Sequence, residues 1–238
     1  MLAWLAQTQP DVVCLQETKC TDEQFPAADL RRSGYHAAFH GQKSYNGVAI
    51  LSKNELRDVR SGLCDEEEDP QARVIAATIE GTRVFSIYAP NGQAVDSPAY
   101  DYKLKWYARL RNCLREHEPA ASDLAICGDF NVAPKDEDVH DPALWQGAIM
   151  CSDGERQAFQ ELCGTDLVDT LRLHRRETGL FTWWDYRMLS FPKNRGLRID
   201  AVLASKSLAA RCNAAGIDRD MRKGKEPSDH APIWAEFL

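Results

Sequence analysis

Polar side chains able to do chemistry recur where apolar, strand-like runs of this sequence stop. Leu124-Ala125-Ile126-Cys127 leads into Gly128-Asp129-Phe130-Asn131, so a carboxylate and a carboxamide stand two residues apart. Alternate residues of an extended segment share a face, which points Asp129 and Asn131 the same way. Such a pair can hold a water, a metal or a phosphate oxygen; taken alone it also fits an Asx turn bonded to its own backbone. The same placement recurs elsewhere. Val12-Val13-Cys14-Leu15 delivers Glu17 to its end, and Arg83 to Tyr88 runs into Tyr88-Ala89-Pro90-Asn91. Leu197-Arg198-Ile199-Asp200 reads as a strand with Arg198 and Asp200 on one face, a costly arrangement unless the charges meet partners or a site. Ser228-Asp229-His230 precedes the last strand, Ile233 to Phe237.

If these ends converge at one rim, they form a carboxylate-rich pocket with one histidine and several amide or hydroxyl donors. Crowded carboxylates repel each other and any anionic substrate unless a hard cation sits among them. Oxygen ligands without thiolates select Mg²⁺ or Mn²⁺ over zinc. That chemistry suits phosphodiester hydrolysis: a metal neutralises developing charge, a carboxylate takes a proton from water, and a histidine with amide donors holds phosphate oxygens.

The elements that must position these groups alternate along the chain. Leu2 to Thr8 reads as the end of an amphipathic helix, and Asp22 to Ser33 as a helix with Phe25 and Leu30 inward. Asn46-Gly47 marks a turn between strands Tyr35 to Phe39 and Val48 to Leu51, and Glu80-Gly81-Thr82 joins Arg73 to Ile79 with Arg83 to Tyr88. Tyr102 to Glu116 is predicted as the longest helix, ended by Pro119, and Asp153 to Leu162 as a further one capped by Asp153. The pattern predicts a single α/β domain: a four-layered sandwich of two mainly antiparallel sheets packed face to face, with helices outside.

At 238 residues the chain can bury ample core. Apolar and charged fractions of 44% and 27% are ordinary for a globular protein, and no apolar run reaches membrane-spanning length. No Cys-x-x-Cys pair occurs, so all eight cysteines are expected to be reduced and structural. A net charge of −7 argues against a protein that coats nucleic acid nonspecifically, but one face can stay positive. Asp65 to Asp69 is an acidic cluster, whereas Arg172, Arg175, Arg176, Lys193, Arg195, Arg198, Arg219, Arg222, Lys223 and Lys225 crowd the last third. Phe181-Thr182-Trp183-Trp184-Asp185-Tyr186-Arg187 sets aromatics among bases, a composition that suits stacking on nucleobases and equally suits a core.

Five of these segments, Leu15-Gln16-Glu17-Thr18-Lys19, Tyr88-Ala89-Pro90-Asn91, Gly128-Asp129-Phe130-Asn131, Arg198-Ile199-Asp200 and Ser228-Asp229-His230, stand in the order found in one family. The chain resembles the exodeoxyribonuclease III family, the class II apurinic/apyrimidinic endonucleases of the endonuclease/exonuclease/phosphatase superfamily. The resemblance implies that Glu17 is the principal metal ligand with Asp229 close to it. It implies that Asp129 deprotonates the attacking water, Asn131 orients it, and His230, held by Asp200, binds the scissile phosphate. Tyr88 and Asn91 would contact that phosphate, Trp183 and neighbouring loops would line the DNA groove and the pocket for the abasic sugar, and Arg198 is expected among the substrate-binding residues. Expected activities are Mg²⁺- or Mn²⁺-dependent 3′-to-5′ exonuclease on duplex DNA and incision 5′ to abasic sites. A cytoplasmic monomer without membrane contact is expected.

The family opens on a strand carrying a Trp-Asn motif, and this sequence contains none. The expectation is therefore an N-terminally truncated domain over 1–238 with a weakened metal site. Leu197 stands where some relatives place an aromatic in the abasic pocket. Rival readings are a lipid or sugar phosphoesterase of the same superfamily and a catalytically weakened DNA-binding fragment.

Overall fold

A computed structural model describes residues 1–118, 122–224 and 226–238. The chain is α/β and divides into two compact units, Met1–Tyr88 with Ala121–Gly128, and Ala89–Ala120 with Asp129–Leu238.

The first unit begins α1 (Leu2–Thr8), β1 (Val12–Gln16), α2 (Ala27–Arg32), β2 (His36–His40), β3 (Val48–Ser52), β4 (Arg57–Ser61), β5 (Val74–Ile79) and β6 (Thr82–Tyr88). β3 is the middle strand of an antiparallel β1-β3-β2 sheet and is buried along its whole length. A strand covered on both faces needs an unbroken apolar run, which Val48-Ala49-Ile50-Leu51 supplies. Ala49 and Leu51 pack under the helices against Leu5, Phe25, Leu30 and Tyr35. On the other face Val48 and Ile50 meet Ile75, Ala77, Ile79 and Val84 of a second sheet. Each such fully buried Val, Ile or Leu stabilises the fold by roughly 1.5–3 kcal/mol. The layering is thus helix, sheet, sheet, as a layered sandwich requires.

Local signals set most boundaries. Glu80 and Gly81 take positive φ of 47° and 85°, the two left-handed positions of a tight hairpin between β5 and β6. The helix expected over Asp22 to Ser33 is interrupted: a 3-10 turn covers Asp22–Gln24, Phe25 is extended before Pro26, and α2 follows. A residue preceding proline is pushed out of the helical region by the ring. β4 escaped the sequence reading because Arg57-Asp58-Val59-Arg60-Ser61 is a fully exposed edge strand with no apolar face.

Helix α3 (Pro98–His117) belongs to the second unit, and strand β7 (Leu124–Asp129) to the first up to Gly128, lying next to β6 in the order β4-β5-β6-β7. Ser97 caps α3 by accepting a hydrogen bond from the Tyr100 amide at 3.2 Å, with Pro98 at the first helical position, so the helix starts earlier than its apolar periodicity. The rest of the second unit is α4 (Pro142–Trp145), α5 (Asp153–Cys163), β8 (Leu167–Asp169), α6 (Thr170–His174), β9 (Asp200–Ser205), α7 (Lys206–Ala209), β10 (Cys212–Ile217) and β11 (Ile233–Phe237). β8 pairs antiparallel with β9, and β10 with β11. α5 is capped by Ser152 in a capping box with Glu155, not by Asp153 as expected. β10 was not anticipated, because Ala214, Ala215 and Gly216 are weak strand formers; the Trp234 ring on β11 covers Gly216 so closely that a Cβ there would meet it at 2.6 Å.

Pro119 and Lys225, named above as helix terminator and basic residue, lie outside the described residues. Cys14, Cys20, Cys127, Cys151, Cys163 and Cys212 are free thiols, but Cys64 and Cys113 are disulfide-bonded, which corrects the expectation of eight reduced cysteines. Among the described residues no helix is long and apolar enough to cross a membrane.

Candidate active site

Asp129 ends β7, and the residue before it must be glycine. Gly128 has φ of 149°, and a Cβ there would lie 2.0 Å from the Ile87 carbonyl oxygen. The turn after Asp129 is then pinned from inside: Phe130 is fully buried against Phe159, and its amide donates to the Ile199 carbonyl at 2.9 Å. Asn131 follows in the left-handed region at φ 50°, which asparagine tolerates better than most residues. Its amide donates to Asp129 Oδ1 at 2.7 Å and its Nδ2 to Asp129 Oδ2 at 3.0 Å and to the Ala89 carbonyl at 2.9 Å. Asn91 Nδ2 in turn donates to Asn131 Oδ1 at 3.1 Å. The Asx-turn geometry and the functional pairing are therefore the same contacts.

His230 faces this carboxylate from another segment. Its Nδ1 lies 2.9 Å from Asp200 Oδ2 and its Nε2 4.0 Å from Asp129 Oδ2. Two short bridges hold it there: Ala231 N donates to the Thr182 carbonyl at 2.7 Å, and Trp184 N to the Asp229 carbonyl at 3.0 Å. The buried Thr182 hydroxyl also accepts from the amides of Ile199 and Asp200, both at 3.1 Å, fixing the start of β9. A threonine between aromatics carries no sequence signal for that duty, and it was missed.

Electrostatics follow from the crowding. Burial, and next the charge of Asp200, raise the Asp129 carboxyl from 3.8 to about 7, although His230 and the Asn131 amide oppose the rise. Burial acts against the imidazolium of His230, but the charge and hydrogen bond of Asp200, then the charges of Asp129 and Asp229, outweigh it and raise it to about 10. Near neutral pH the pair offers a carboxylate able to take a proton beside a cationic donor.

Asp129, Asp200 and His230 each present a ligand atom within 4.8 Å of the others, and Asp229 is not part of that group. Counting Asp229, three carboxylates face one imidazolium, so net negative charge is left over. Oxygen-rich donors with surplus negative charge and no thiolate fit a hard divalent cation.

The other expected residues fall as follows. In the first unit, Glu17 has φ of 53°, forms an ion pair with Lys19 at 2.5 Å, and accepts a hydrogen bond from the Tyr88 hydroxyl. The Arg73 guanidinium stacks on the Tyr88 ring at 4.9 Å. In the second unit, Trp183 is half-buried and donates its indole N–H to Asp229 Oδ2 at 3.0 Å, so it orients an acid rather than only offering a ring; Trp184 is fully buried core. Arg198 must be corrected. Expected on the DNA side, its side chain is 2% exposed and is bound by Asp138 at 2.6 Å and Asp169 at 2.7 Å. A guanidinium buried between two carboxylates is spent on them and is not presented to a phosphate.

The sequence profile of the endonuclease/exonuclease/phosphatase family matches residues 1–230. This chain belongs to that family. Exodeoxyribonuclease III of Haemophilus influenzae is 39% identical over 247 residues, covering 99% of this chain and 92% of that protein. A 3′ phosphatase from Neisseria, NExo, solved with a product DNA hairpin, is 44% identical and superimposes with a TM-score of 0.96 over 99% of this chain and 92% of that one. An AP endonuclease from Archaeoglobus fulgidus is 39% identical with a TM-score of 0.94, covering 100% of this chain and 92% of its own. The family's exodeoxyribonuclease III and AP endonuclease branch is thus the one this chain joins, with the layered α/β sandwich expected from sequence.

Proposed function

We propose that this chain is a divalent-cation-dependent phosphodiesterase of DNA repair, a 3′-to-5′ exonuclease on duplex DNA that also incises 5′ to abasic sites. The observation that carries the reading is the Asp200–His230–Asp129 arrangement with Asn131 doubly bonded to Asp129. Asp129, with its carboxyl raised to about 7, takes the proton of the attacking water, and Asn131 fixes the carboxylate and the water together. His230, kept cationic by Asp200, binds the phosphate oxygens that gain charge. Tyr88 and Asn91 contact the same phosphate, and Trp183 holds Asp229. By the family resemblance Glu17, oriented in the first unit by Tyr88 and Lys19, is proposed as a ligand of Mg²⁺ or Mn²⁺, and Asp229 of the second unit as an acid close to the metal. Such an ion, when bound, neutralises charge on the phosphoryl oxygens and makes water a better acid. Double-stranded DNA with abasic sites or 3′ ends is the proposed partner of a cytoplasmic monomer.

The 44% identity to a chain described as a 3′ phosphatase favours a second, related activity, removal of 3′-terminal phosphate by the same groups. The test is cleavage of three substrates with Mg²⁺ and with EDTA: an abasic duplex, a duplex with a recessed 3′ hydroxyl, and one with a 3′ phosphate. Mg²⁺-dependent turnover that disappears in Asp129→Asn is expected. No turnover of any duplex, or turnover of phosphoinositides instead, would overturn the proposal.

A further inference from the structure

Lys103 on α3 and Glu155 on α5 form an ion pair in which both side chains are fully buried. Sequence reading passes over them, since a Lys or Glu on an amphipathic helix normally points to water. All three ammonium protons are used. One goes to Glu155 Oε1, one to the Asn131 carbonyl at 2.7 Å, and one to the Asn91 carbonyl at 3.1 Å. Glu155 cannot drift, because its oxygens also accept from Met150 N at 2.9 Å, Ser152 N at 3.1 Å and Ser152 Oγ at 2.6 Å. The lysine stem is confined as well: a Cβ on Gly92, at φ 87°, would meet Lys103 Cδ and Ile149 Cδ1 at 3.0 Å.

A buried ion pair is a poor way to stabilise a core, since apolar side chains of similar volume often serve as well or better. This one grips two backbone carbonyls, and both belong to residues of the candidate site. Asn91 and Asn131 are joined through their side chains, and Asn131 holds both oxygens of Asp129 from a left-handed backbone position. We propose that Lys103 is a positioning residue, whose ammonium clamps the carbonyls of Asn91 and Asn131 and thereby holds Asp129 and Asn131 in reaction geometry. This rests on the reading of Asp129 as the base in phosphodiester hydrolysis.

The test compares the unmutated chain with Lys103→Met and with the double variant Lys103→Met/Glu155→Gln. The single variant strands a buried carboxylate and should melt early. The double variant removes both charges and should recover much of that melting temperature. If the lysine acts as a clamp, kcat for abasic-duplex cleavage in Mg²⁺ stays roughly 10²-fold low in the double variant. KM should stay within about threefold, since binding is not what is lost. Amide hydrogen exchange over residues 128–133 should also quicken in the double variant relative to exchange in the α3 core, reporting local release whatever the global stability. Wild-type kcat together with unchanged local exchange in the double variant would overturn the proposal and leave the pair as packing. If the unmutated chain cleaves no duplex, the functional reading fails, while selective exchange at 128–133 still decides the clamp.

Discussion

Asp200→Asn keeps the shape and one acceptor oxygen for His230 Nδ1 but deletes the charge that most favours the imidazolium. In the intact chain His230 rises from 6.5 to about 10 against the effect of burial. An opposite charge at the 2.9 Å contact accounts for roughly 1–3 pH units of such a rise, or about 1.4–4 kcal/mol. Because the folded value lies above the unfolded one, the stabilisation from His230 is fully present below pH 6.5 and is lost as pH climbs toward about 10. The Asp129 carboxyl, raised from 3.8 to about 7, behaves with the same sign: its contribution is complete below 3.8 and gone above about 7. Removing the Asp200 charge lowers both values, so stability should depend less on pH between about 4 and 10 than in the unmutated chain. The direct assay is an NMR titration of the His230 ring in the metal-free protein, expected to move down by roughly 1–3 units in Asp200→Asn. The alkaline limb of the pH–rate profile in Mg²⁺ should follow it down. A His230 titration unmoved to within a few tenths of a unit would refute the claim that Asp200 keeps the ring charged.

Three further outcomes are expected. Gly128→Ala should cost roughly 2–4 kcal/mol in denaturant unfolding, because its Cβ would collide with the Ile87 carbonyl at 2.0 Å and no side chain is there to yield. Arg198→Met should destabilise by about 3 kcal/mol, the low end for a broken buried pair, since Asp169 loses its guanidinium and buried Asp138 keeps only Arg172, while duplex affinity of the folded protein stays unchanged; a normal melting temperature with weakened DNA binding would restore the DNA-contact role instead. Glu17→Gln should raise the Mg²⁺ concentration for half-maximal activity by about tenfold or more, with little change in metal-free stability, as isothermal titration with Mn²⁺ can verify.

Much of the second-unit site was legible because its signals are local. Gly128-Asp129-Phe130-Asn131 announces a strand end with two polar groups on one face, and the Asp129–Asn131 bonds are contacts over two residues. The failures are of another kind. Arg198 reads as a DNA contact beside Asp200, yet its partner Asp138 lies 60 positions away. Lys103 reads as helix surface, yet Glu155 is 52 positions away. Thr182, which holds the start of β9 through two amides, is one hydroxyl among aromatics and announces nothing.

The sequence by itself determined which acids, amides and histidine stand at strand ends, and therefore the class of chemistry within reach, because two-residue alternation and turn residues act between neighbours. Only the tertiary structure decided which charges are spent on one another inside the fold and which stay available to a substrate. Pairing of that kind depends on desolvation and on contacts made across long loops, and residues of identical type then take opposite roles: Asp138 neutralises Arg198, while Asp129 keeps a carboxyl raised to about 7 beside the cationic His230.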